Sequence, residues 1–187
     1  MGGHRSLSVK RGATPSDSRC IHYWSHALSD RYRIPKTRIP VEIRNAGGAA
    51  EKCTLFLGEA RNGPESVLDH LNAEQRFLVV EAETRQVSFR GRERIAMVTL
   101  SDADAFAEHG GLQIAADLAT EAPLHLEFDD GSQLEGVTVY ELQESSSRIQ
   151  DFLNDPHAFF PFFHDAQVSY VNKDRIARVT LREASET

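Results

Sequence analysis

Residues 167–181 read Gln-Val-Ser-Tyr-Val-Asn-Lys-Asp-Arg-Ile-Ala-Arg-Val-Thr-Leu, and residues 86–100 read Gln-Val-Ser-Phe-Arg-Gly-Arg-Glu-Arg-Ile-Ala-Met-Val-Thr-Leu. Laid over each other at an offset of 81, the two stretches are identical at nine of fifteen positions. Three more positions keep their chemistry: Phe89 and Tyr170, Arg92 and Lys173, Glu93 and Asp174. Agreement of that extent lies far above chance pairing, so the chain carries an internal repeat and the architecture follows from it.

Working outward, a first unit runs from about Val41 to Leu100. Val41 and Ile43 alternate with Glu42 and Arg44, Asn45-Ala46-Gly47-Gly48 turns the chain, and Cys53, Leu55 and Leu57 alternate again. That pattern predicts a β-hairpin. Val67, Leu68 and Leu71 fall at helical spacing, with Asn72 suited to end the helix. Three strand-like runs follow at Phe77–Glu81, Gln86–Phe89 and Ile95–Leu100.

The second unit repeats this order. Leu124, Leu126 and Phe128 alternate, Asp129-Asp130-Gly131-Ser132 makes a tight turn, and Leu134 to Tyr140 returns with Gly136 where a bent strand uses glycine. Ser145-Ser146-Ser147 is placed to cap a helix bearing Ile149, Phe152 and Leu153, and Asn154-Asp155-Pro156 stops it. Phe159–Phe163 is the third strand, and the repeated stretch is expected to close the unit as a hairpin. Between the units, Ser101 is placed to cap a helix over Asp102–Glu108 that Gly110-Gly111 ends, while Leu112–Ala119 reads as either helix or strand.

The fold class is therefore mainly β with short helices: two small barrel or curved-sheet units of order β-β-α-β-β-β, expected to face each other as a pseudo-twofold pair. The boundaries fall at 1–38 for a basic, flexible arm, 39–101 and 123–182 for the units, 102–122 for a helical connector and 183–187 for a tail. Net charge is −7, composed of +6 over residues 1–38 and −13 over the remainder. An acidic body is a poor general platform for nucleic acid, so phosphate contacts would fall to the arm or to local clusters. No run of about 18 apolar residues exists, which argues against a helical membrane span. Two cysteines, Cys20 and Cys53, are too few for a disulfide framework, and no secretory leader is evident, so a reducing cytoplasm is the expected location.

Gly136 in a bent second strand, Asp151-Phe152-Leu153-Asn154 and the closing stretch Val168–Leu181 resemble the Sm-like small-barrel family. The first unit shows the matching elements Asp69-His70-Leu71-Asn72 and Arg90-Gly91-Arg92. The likeness covers both units, about two-thirds of the chain, and extends to bacterial domains of unknown function. A helix between strands two and three is a departure, because Sm proteins have a tight turn there. The resemblance implies an RNA-binding or interaction role rather than catalysis.

Candidate binding residues are Arg92, Arg94, Lys173 and Arg175, which lie in equivalent turns. They form either a two-part anionic site or solvated turns neutralised by Glu93 and Asp174. Asp69, Asn72, Asp151 and Asn154 recur at matching positions, as ligand contacts or as groups satisfying helix-end backbone. Cys20, His22, His26 and Asp30 are metal-capable but lack the paired spacing of a zinc site, so no metal and no cofactor is expected. His157 and His164 flank a Phe-rich strand that reads as core, and Tyr140 and Tyr170 as packing residues. No GxSxG, P-loop, GxGxxG or HExxH phrase occurs, so the expectation is a non-enzymatic module binding a protein partner or itself, with RNA as the alternative and a small-metabolite enzyme with a cleft between the units as a third reading.

Overall fold

The computed structural model describes residues 36–60, 63–101, 103–112, 119–141 and 148–182. The basic arm with Cys20, His22, His26 and Asp30, the Ser145–Ser147 cap and most of the ambiguous 112–119 segment lie outside the described residues.

The first unit contains β1 (Thr37–Asn45), β2 (Ala50–Leu57), the two-residue strands β3 (Glu59–Ala60) and β4 (Gly63–Pro64), α1 (Val67–Asn72), β5 (Phe77–Ala82), β6 (Val87–Gly91) and β7 (Ile95–Leu100). Then α2 (Ala103–His109) leads toward β8 (Ala119–Phe128), β9 (Gln133–Glu141), α3 (Ile149–Leu153), β10 (Phe159–His164), β11 (Gln167–Asn172) and β12 (Ile176–Leu181). The second unit thus starts inside the segment read as a connector. Ala119 already pairs with Glu141 there.

All strands except β3 and β4 join one ten-stranded antiparallel sheet in the order β12-β8-β9-β10-β11-β7-β1-β2-β5-β6. Counting each unit's five sheet strands in sequence order, both halves read fifth-first-second-third-fourth. The likeness extends to single bonds. The Ala46 N–H donates to the Arg94 carbonyl at 2.8 Å, and the Asp129 N–H donates to the Arg175 carbonyl at 3.0 Å. Gly48 and Gly131 hold the two first turns at φ +81° and +80°, a left-handed conformation that costs glycine little.

Three expectations are corrected. The repeated stretches are not hairpins: each is a strand, a 3-10 turn (Arg92–Arg94 or Lys173–Arg175) and a second strand that does not pair with the first. The last strand crosses to the far side of its unit, β7 onto β1 and β12 onto β8. For the same reason the sheet does not close into barrels, since the fourth and fifth strands of a unit diverge to opposite edges. Nor do the units meet through like surfaces as a twofold requires. The fourth strand of the second unit, β11, lies on the fifth strand of the first, β7, in the register Ser169↔Thr99, Tyr170↔Val98, Val171↔Met97. That is a head-to-tail, heterologous junction.

The sheet carries two buried clusters, and each borrows from the other half. Ile39, Leu55, Leu71, Leu78 and Ile95 pack with Phe159 and Tyr170 of the second unit. Leu124, Leu126, Phe128, Phe160 and Phe162 pack with Ala96 and Met97 of the first. Gly136 is required where β9 meets β10, because a Cβ there would stand 2.3 Å from the Phe163 carbonyl oxygen.

Candidate functional site

The eight residues singled out from the sequence separate into two groups. Asp69, Asn72, Asp151 and Lys173 line one cleft of about 750 Å³ between α1 and the second unit, together with Phe152, Asp155, His157 and Phe159. Arg92, Arg94, Arg175 and Asn154 lie outside it.

Within the cleft most polar atoms are already engaged by the fold. The Ser66 hydroxyl caps α1, accepting from the Asp69 N–H at 3.0 Å and donating to the Asp69 carboxylate at 2.7 Å. Asn72 reaches across to the second unit: its amide donates to the Phe159 carbonyl at 2.9 Å and its oxygen accepts from the Phe159 N–H at 2.8 Å. Asn154, its counterpart in sequence, is exposed and donates to the Gln150 carbonyl of its own helix at 2.8 Å.

The turn cations behave similarly. Lys173 donates to the Phe152 carbonyl at 2.7 Å and to the Asp155 carbonyl at 3.3 Å, with its ammonium 4.9 Å from the Phe152 ring centroid. Burial draws that ammonium below its ordinary pKa, against the opposing effect of Asp155 and Asp174. Arg92 donates to the Leu71 carbonyl at 3.2 Å, also at the end of the helix preceding in its own unit. Arg175 pairs with Asp129 at 3.1 Å. The Arg94 side chain is exposed. The four cations therefore do not converge on one point.

A histidine, a serine and an acid occur together at β10 and β11. His164 Nε2 lies 2.8 Å from Ser169 Oγ, and Asp165 lies 3.8 Å from His164 Nδ1. Ser169 is wholly buried and shares a 2.7 Å hydrogen bond with Thr99 across the junction between units. A serine sealed in a seam does not meet a substrate, so this chain of polar groups joins the halves. Among the described residues no three His, Cys, Asp or Glu side chains are grouped to hold a metal ion, and no helix is long and apolar enough to cross a membrane.

The outstanding surface feature is at the ends of the sheet. Among the described residues the large apolar side chains left exposed are Phe77, Val87, Phe89 and Leu181. Val87 and Phe89 belong to β6 and Leu181 to β12, the two edge strands, while Phe77 sits opposite Gly91 next to β6. Sequence reading missed these edges, although a signal existed. Where the twin stretches differ most, Met97 against Arg178 and Val171 against Arg90, the apolar member lies in the internal junction and the arginine on an open edge. Compared with family models, curated proteins and solved structures, the chain matches none of them.

Proposed function

We propose that the protein is a non-enzymatic interaction module built from two Sm-like repeats, and that it binds a protein chain by adding a strand to the ends of its sheet. One observation carries this reading: among the described residues, three of the four exposed large apolar side chains, Val87, Phe89 and Leu181, lie on the two open edge strands, and the fourth, Phe77, lies on the strand beside one of them. An edge strand offers unpaired N–H and C=O groups, and soluble proteins ordinarily guard it with charge or keep it short. Here β6 and β12 keep arginines, Arg90 bound to Glu51 and Arg178 bound to Glu127, yet leave Val87, Phe89 and Leu181 uncovered. Apolar residues alternating along an open edge suit strand addition, in which backbone bonds supply affinity and side chains supply specificity.

The alternative, an RNA-binding protein of Sm-like descent, has less support. Arg92, Lys173 and Arg175 spend their donors on the protein's own carbonyls and carboxylates, and the adjoining cleft is lined by Asp69, Asp151 and Asp155. RNA affinity that falls steeply with salt and is lost with Arg94→Ala would restore it.

The edge reading is tested by replacing Phe89 with a photo-crosslinking aromatic in cells, with the same replacement at exposed Lys52 as control. Adducts to protein at position 89 and none at 52 are the expected outcome. Equal labelling at both positions, or none at 89, overturns the reading.

A further inference from the structure

The cleft between α1 and the second unit holds polar groups that the fold leaves unused. Tyr140 lines it and is only 8% exposed, yet its hydroxyl has no hydrogen-bond partner among the described residues. A buried phenol ordinarily finds one, as Tyr170 does in the Gly110 carbonyl at 2.7 Å. The Tyr140 ring stacks on Phe152, another lining residue, with centroids 5.2 Å apart, which fixes the hydroxyl at the cleft wall.

The charge around that hydroxyl is one-sided. Asp69 and Asp151 occupy matching places in the two repeats, and they reach the same cleft from different elements, α1 and α3. Glu141 and Asp155 join them. Against these four carboxylates stands one ammonium, Lys173, whose donors already go to the Phe152 and Asp155 carbonyls. Asp151 and Glu141 have no ion-pair partner among the described residues. Asp69 and Asp155 each spend a single oxygen, on Ser66 and on His157. Burial opposes ionisation of Asp155, but the bonds from the His157 N–H and ring outweigh it and hold the carboxyl below its ordinary pKa. Much of the remaining lining is apolar, including Leu68, Phe160 and Pro161.

We infer that this cleft is a second binding site, separate from the sheet edges, and that its ligand is a small linear aliphatic amine carrying at least two ammonium groups. The groups left unused are carboxylate oxygens and a phenol oxygen, and an ammonium is a donor of three hydrogen bonds that accepts none. Charge-assisted bonds of this kind are the strong ones. A polymethylene stem covers apolar lining while its charged ends stay with the acids, as lysine stems do on protein surfaces. Acids on α1 and on the second unit call for a charge at each end of the ligand. An anion would meet carboxylates on both sides, with the one nearby ammonium already engaged. The volume, about 750 Å³, lies in the range of small-molecule sites. No lining residue belongs to β6 or β12, so amine binding and strand addition stand or fall separately.

Calorimetric titration of the full chain with putrescine tests this. Binding is expected with a dissociation constant below about 1 mM, weakening as salt is raised. Butylamine, with one charge, binds at least about fivefold more weakly, and butanediol gives no heat. Asp69→Asn and Asp151→Asn each weaken putrescine by about three- to fivefold, and Tyr140→Phe by about tenfold. Glu83→Gln, which removes the same charge from an exposed turn outside the cleft, leaves the affinity unchanged. Circular dichroism confirms that the variants fold. In the chain labelled with fluorotyrosine, the fluorine resonance assigned through Tyr140→Phe moves on adding putrescine, while that of Tyr170 stays in place. Absence of both heat and shift overturns the assignment, and so does butylamine binding as tightly as putrescine. Weakening by Glu83→Gln equal to that by Asp151→Asn also overturns it, because the amine would then merely neutralise an acidic surface.

Discussion

The Asn72 carboxamide grips the backbone of Phe159 from both sides, at 2.9 Å to its carbonyl and 2.8 Å from its N–H, and so fastens the helix of one unit to the third strand of the other. Replacing Asn72 with Ala leaves two half-buried backbone groups of the Phe159 peptide without that partner. The expected loss is about 1–3 kcal/mol of unfolding free energy in urea titration. Asn154→Ala, at the exposed counterpart, is expected to change stability by less than about 0.5 kcal/mol. Equal losses at both positions would show that the two asparagines do the same work.

Gly136→Ala forces a methyl group against the Phe163 carbonyl and the Phe162 ring, at 2.3 and 2.7 Å. Overpacking of this kind costs about 1–3 kcal/mol, and here the obstruction includes backbone, which yields poorly. Thermal unfolding followed by circular dichroism should show a clear drop in midpoint. A midpoint unchanged from wild type would mean that β9 and β10 are not held this closely.

Stability should fall in mild acid through His164. Burial lowers its pKa, with Asp165 opposing in part, so the folded protein favours the neutral ring. In the unfolded chain the ring titrates near its ordinary value of 6.5 and takes up a proton first as pH drops. The unfolded state then binds more protons, and stability that is complete above that value is lost as pH falls through it toward the folded value. Urea midpoints measured between about pH 7 and about pH 5 should decline, and His164→Gln should flatten that decline. An identical pH profile in the variant would refer the acid sensitivity to other groups.

Cys53 is buried on β2, and burial foremost, with Glu51 adding and Arg90 opposing, pushes its thiol to about 11. Thiolate is the reacting form, so a chain with Cys20→Ser should resist a thiol reagent at neutral pH until denaturant is added. Fast labelling in the folded state would mean that β2 opens locally.

Much of the fold was legible from the repeat. Alternation at Val41–Ile43 and Leu124–Phe128, glycine turns and the Val67–Leu71 spacing placed nearly every strand and helix, since these are local properties of period and turn chemistry. The path of the last strand was not legible. Val87–Leu100 carries two strand-like runs joined by a charged turn, and local pattern cannot distinguish a hairpin from a crossover. Long-range pairing decides it, with β7 going to β1 and β6 left at the edge. The pseudo-twofold expectation failed for the same reason, because similar units join equally well head to tail. For the polar residues, Asp69 and Asn72 lie in the first turn and at the last position of α1, but no pattern indicates that Asn72 reaches a strand 87 positions away.

The cluster around Leu55 and Leu71 is completed by Phe159 and Tyr170. During synthesis, the leading half therefore leaves the ribosome with an unfilled hollow and must wait until nearly the last strands emerge. Severed from its twin, it would expose that hollow to water, so the molecule matures as one cooperative body.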